Sequence, residues 1–169
     1  MNQKTLAIII VAVLAVAVVA VAAYFLMNTE EEKIEDTITV ENATSLQFSV
    51  DLTFDGESMG TYEYSAKNIG TSDLMVRVEI PDASGDLIYI INGANQSAWA
   101  SVADEWTDLS DTFSTEWDSW TGTMEGYTDE LTTWVEGDWT FTDTDGTGVK
   151  VYNISINPAL ADSLFAPQL

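Results

Sequence analysis

The chain contains no cysteine and no histidine, and only five basic residues stand against 28 acidic ones. Without cysteine there is no disulfide framework and no thiol nucleophile, and without either residue type there is no Cys/His zinc site. The absence of imidazole removes the usual general acid and base near neutral pH. Only carboxylates, hydroxyls, amides and four lysines would remain for catalysis, so the chain is expected not to be an enzyme and no cofactor is implied. A formal net charge of -23 repels phosphate backbones, which argues against nucleic acid as a partner. A hydrophobic content of 46% is nevertheless too high for charge-driven disorder.

Residues 1–5 carry Lys4 and form a short cytoplasmic N-terminus. From Leu6 to Met27, 22 consecutive residues are apolar. At about 1.5 Å per residue the run reaches roughly 33 Å, enough to cross a hydrocarbon core of about 30 Å as one helix. Lys4 precedes it, and Glu30, Glu31, Glu32, Glu35 and Asp36 follow, which puts the N-terminus in the cytoplasm and the rest of the chain outside the cell membrane. Two other readings stay open: a cleaved signal peptide with an A-x-A-like site at Ala20-Val21-Ala22, and a pilin-type leader. All three export residues 28–169. Sequons at Asn42, Asn95 and Asn153 would be glycosylation acceptors there. The acidic, lysine-poor composition suits a surface kept soluble at high ionic strength, as on an archaeal cell envelope.

Residues 28–43 read as an acidic tether, and residues 44–169 as one α+β domain. Leu46, Phe48, Val50, Leu52 and Phe54 alternate with polar residues, and so do Tyr62, Tyr64 and Ala66, then Leu74, Val76, Val78 and Ile80. With Leu87 to Ile91 these predict an antiparallel meander with turns at Asp55-Gly56 and Asn92-Gly93. The period then changes. Trp99, Val102, Trp106, Leu109, Phe113, Trp117, Trp120, Met124, Tyr127, Leu131 and Trp134 fall within about 100° of arc on a helical wheel. An amphipathic, Trp-rich helical insertion is expected over 99–136, opened by a Ser101/Asp104 capping pair, closed at Gly137, and broken near Ser110 to Ser114 or at Gly122 and Gly126. A hairpin from Trp139 to Ile156 ends the fold.

Two weaker signals concern chemistry. Asp143-Thr-Asp145-Gly146 resembles the start of a calcium loop, but the later ligands of that loop do not follow, and a hairpin turn is the reading. Asp104 with Glu105 and Asp129 with Glu130 are adjacent carboxylates that do not face one another across a cleft, as glycoside hydrolysis requires.

The meander, the segment Ile88-Tyr89-Ile90-Ile91-Asn92-Gly93, Trp99, the helical insertion, the last hairpin and Ile156-Asn157-Pro158-Ala159-Leu160-Ala161-Asp162-Ser163-Leu164-Phe165 together resemble the outer-membrane lipoprotein carrier (LolA-like) family over about residues 44–166. The resemblance implies a half-barrel of antiparallel strands closed by helices, with a cavity for lipid or the acyl chains of lipoproteins and no catalytic residue. It would place that cavity among Phe48, Val50, Phe54, Tyr64, Val76, Tyr89, Trp99, Trp106, Phe113, Trp117 and Trp120. The expected function is therefore a membrane-anchored lipid- or lipoprotein-binding domain. The alternative is a structural or protein-interaction module of the envelope, a spacer or filament subunit, whose helices pack the sheet completely.

Overall fold

A computed structural model describes residues 39–83, 85–142 and 146–168. The expected transmembrane segment 6–27, most of the tether and the Asp143–Asp145 loop lie outside the described residues. Among those described, no helix is long and apolar enough to cross a membrane.

The protein is α+β. Among the described residues eight strands, β1 (Ser45–Phe54), β2 (Glu57–Lys67), β3 (Met75–Ile80), β4 (Leu87–Asn92), β5 (Ser97–Val102), β6 (Glu105–Asp108), β7 (Trp139–Thr142) and β8 (Thr147–Ile156), form one open antiparallel sheet in the order β6-β5-β4-β3-β2-β1-β8-β7. The one long helix among the described residues, α1 (Phe113–Glu130), joins the two edge strands β6 and β7 and therefore has to travel across the whole sheet. Its 18 residues span about 27 Å, comparable with the roughly 34 Å width of eight strands.

Register explains how the faces separate. Phe48, Tyr64, Val78, Tyr89 and Ala100 are successive cross-strand partners, as are Leu46, Ala66, Val76, Ile91 and Ala98. Both rows face α1 and are buried or nearly so. The residues between them point to the far side: Gln47, Ser65, Arg77, Ile90 and Trp99 in one row, Ser49, Glu63, Glu79, Ile88, Ser101 and Trp106 in the next. The Asp55-Gly56 turn has positive φ at both residues (51° and 81°), the twist-matched two-residue connection that the sequence predicts.

The stretch 97–108 departs from expectation. Instead of starting a helix it forms the β5–β6 hairpin, whose turn residues Ala103 and Asp104 both have positive φ (50° and 66°). Ser101 lies buried in β5 and Asp104 in the turn, so neither caps a helix. The helix begins after a 3-10 turn at Ser110–Thr112, within the region where a break was expected. From there it runs unbroken through Gly122 and Gly126 and ends in a second 3-10 turn at Leu131–Thr133. One helix thus replaces the expected two or three. At the other end, Val40 and Ala43, read from sequence as tether, are buried in the core, so packing begins ahead of β1.

Candidate functional site

The helix-covered face is where a lipid chamber was expected. Trp120, Met124 and Tyr127 of α1 and Leu131 just beyond it point down at intervals of three or four and are all buried. Phe48 stacks on Tyr64 with ring centroids 5.0 Å apart, and Tyr127 packs against both at 5.2 Å. Trp120 tilts onto Tyr89 at 5.3 Å. Aromatic pairs at these spacings contribute about 0.5–1.5 kcal/mol each beyond the apolar area they bury. The space between helix and sheet is occupied by these rings. Burial pushes the Tyr64 and Tyr127 hydroxyls far above the ordinary tyrosine range, so both stay neutral and offer no acid–base chemistry.

Of the residues expected to line a cavity, Phe48, Val50, Tyr64, Val76, Tyr89 and Trp120 are brought together here, as core. Phe113 and Trp117, 5.6 Å apart at the start of α1, pack partly buried against its margin. Phe54 sits at the end of β1, 43% exposed. Trp99 and Trp106 do not join them. They lie on β5 and β6 in rows that face away from α1.

A groove of about 470 Å³ lies open along the rim of the helix side, between α1 and the β2–β3 connection. Ile69, Leu74, Trp117 and Met124 give it an apolar strip, and Thr121, Glu125 and Thr128 a polar margin. Gly93 sets how Trp117 borders this groove. A Cβ there would lie 2.3 Å from the Ser72 carbonyl oxygen and 2.6 Å from the Trp117 ring, so only glycine allows the approach. Two half-buried helix carboxylates flank the aromatic core. Glu116 is raised above the ordinary glutamate range by burial, the nearby Trp120 indole N–H opposing this although it makes no hydrogen bond. Glu130 is raised by burial in the same way, with the Trp139 indole opposing.

The far face carries a feature that the sequence reading did not anticipate as a covering element, the C-terminal strap of residues 157–168. Asn157 Oδ1 accepts from the backbone N–H of Thr44 at 2.8 Å and of Ser45 at 3.3 Å, and Ser45 Oγ donates to the Pro158 carbonyl at 2.9 Å. Lys67 donates to the Leu160 carbonyl at 3.1 Å and pairs with Asp162. The 3-10 turn Asp162–Phe165 then sits over β3 and β4 with Phe165 buried. Three apolar residues in a run too short for a helix, Leu160, Leu164 and Phe165, were the available signal.

Asn42, Asn95 and Asn153 are all exposed, as glycosylation acceptors must be, and Ser97 Oγ donates to Asn95 Oδ1 at 2.7 Å. Among the described residues no group of three or more acidic side chains is placed to hold a metal ion. Neither a family model nor a curated protein matches the chain.

Proposed function

We propose that the protein is a non-catalytic interaction module of the cell envelope, tethered by a single membrane-spanning helix at Leu6–Met27, with its α+β domain outside the cytoplasm. The observation that supports this reading is the packing of the helix-side face, where Phe48, Tyr64, Tyr127, Tyr89 and Trp120 lie ring against ring in the space expected to hold an acyl chain. A domain with a solid core acts through its surfaces, and this one is strongly acidic, which suits basic partners or cation-bridged assembly. The test is chemical cross-linking in native membranes followed by detergent extraction of the full chain. A defined hetero-complex or an extended homopolymer is expected, and a monodisperse, partnerless monomer overturns the proposal.

A second reading, binding of a lipid or lipoprotein acyl group, is favoured by the apolar strip of the rim groove. It keeps the proposed relationship to LolA-like half-barrels but moves the ligand from the chamber to the helix edge. Native mass spectrometry of the full-length protein separates the two. Retained lipid that is lost in Trp117→Ala, while Trp106→Ala on the other face keeps it, supports the acyl reading; a lipid-free chain sinks it.

A further inference from the structure

The far face holds a second opening that is unlike the rim groove in both size and chemistry. It measures about 280 Å³ and lies over β1, β2, β3 and β8, with Leu164 of the C-terminal strap as its one aliphatic wall. That is just below the roughly 300–1,000 Å³ of sites for drug-sized ligands, so it takes a single ring and no acyl chain. Buried Ser49 and Ser65 and half-buried Arg77 line it, with exposed Gln47, Glu63 and Asn153 around them.

The hydrogen bonds already made within the groove determine what remains for a ligand. Gln47 Nε2 donates to Ser65 Oγ at 3.1 Å, leaving its carbonyl oxygen as an acceptor. Asn153 Nδ2 donates to Ser49 Oγ at 3.4 Å, leaving its own carbonyl oxygen likewise. Arg77, the chain's one arginine, is only 14% exposed and holds Glu79 at 2.6 Å, with further N–H donors on the same guanidinium. Glu63 contributes acceptors only, when ionised. The Arg77 donors thus share a small space with the acceptors of Gln47, Asn153 and Glu63, in which Arg77 and Glu79 cancel and Glu63 leaves a negative balance. Vicinal hydroxyls, which donate and accept at once, match that pattern. Anions are repelled by Glu63, and a bare divalent ion lacks a third carboxylate.

The backbone is shaped for the same place. Opposite Phe48, β8 carries an extra residue, and at this bulge Asn153 takes φ 54° in the middle of a strand. Bulges of this kind re-aim a side chain, and a left-handed non-glycine residue inside a strand is uncommon. Here the bulge turns Asn153 to the groove.

We infer that this groove binds one neutral pyranose unit, through Glu63 and the Arg77 guanidinium, with Gln47 and Asn153 as acceptors. The inference does not depend on what occupies the rim of α1. The sugar has two sources: a saccharide of the surroundings, or the first residue of a glycan carried by Asn153 itself, whose nitrogen keeps one proton for Ser49 after substitution. Intact-mass measurement of the full chain from native membranes, beside Ser155→Ala, distinguishes them. A glycan mass lost in Ser155→Ala puts the sugar on Asn153, where NMR contacts between its first residue and Gln47 support the inference and their absence overturns it. An unmodified chain is then tested by saturation-transfer NMR in detergent with glucose, galactose, mannose and N-acetylglucosamine, at concentrations suited to Kd values of about 1–10 mM. At least one should bind, and both Glu63→Gln and the groove-filling Gln47→Phe should weaken it at least ~10-fold while leaving the melting temperature close to wild type. The inference is overturned if Asn153 is unmodified and none of the four sugars binds. Binding that both variants leave unchanged overturns it too, as does preference for glucuronate, calcium or glycine betaine.

Discussion

The two faces of the sheet solve the same covering problem by different means. The helix side is sealed by an 18-residue helix that contributes Trp120, Met124 and Tyr127 to a continuous aromatic core. The far side is crossed by an irregular strap that buries one large side chain, Phe165, and otherwise holds on through hydrogen bonds and one ion pair. Stability should therefore be concentrated on one face, and openings for polar ligands on the other.

Four substitutions sharpen or break that contrast. Trp120→Ala removes a side chain that is 2% exposed between α1 and Tyr89 and should cost about 3–5 kcal/mol, a large part of a domain's total stability. Chemical denaturation should show a single cooperative loss. Phe165→Ala should cost somewhat less, about 2–4 kcal/mol, because the strap has more freedom to relax. Hydrogen exchange should rise in residues 157–168 and leave α1 protected; equal loss of protection on both faces would abolish the distinction. Gly93→Ala forces a Cβ into the Ser72 carbonyl and the Trp117 ring and should cost about 1–3 kcal/mol, with a change in Trp fluorescence as the indole is displaced.

The smallest effect is electrostatic. Burial raises the folded-state pKa of Glu116 above its unfolded value. The ionised form therefore lowers stability once pH exceeds the folded pKa, and this penalty disappears as pH falls below about 4.3, the ordinary glutamate value. Glu116→Gln should raise the melting temperature slightly near neutral pH and lose that advantage in acid. A gain that persists at low pH would mean that charge is not its cause.

Much of this arrangement could be read from the chain. Alternation at Leu46 to Phe54, Tyr62 to Ala66 and Val76 to Ile80 identified strands whose inward residues are the observed core, because one wet face makes period 2 visible. The helical stripe matches the structure from Phe113 to Leu131; beyond it Trp134 is extended, so the helix ends well short of the expected closure at Gly137. The stripe failed between Trp99 and Trp106 because Ala98 and Ala100, the inward residues of β5, carry little hydrophobic signal, while the two tryptophans point to the far face at a spacing that also suits a helix. A turn at Ala103-Asp104 contains no glycine to announce it, although both residues take positive φ. The expected chamber could not be judged from sequence at all. Whether a curved sheet and a helix leave a void depends on how Phe48, Tyr64 and Tyr127 interlock, and composition carries no record of that.

The place of β8 has a consequence for how the molecule is made. β1 lies in the interior of the sheet, and one of its two neighbours is the last strand of the chain; the Ser45–Asn157 contact at its end closes a sequence gap of 112 residues. Pairing at such range raises contact order and slows folding, since the intervening chain must be ordered before closure is rewarded. A chain synthesised from its N-terminus therefore keeps one flank of β1 unpaired until β8 has been made. During that interval the acidic residues scattered through the rest of the chain act as gatekeepers, their mutual repulsion keeping exposed strands of neighbouring copies apart.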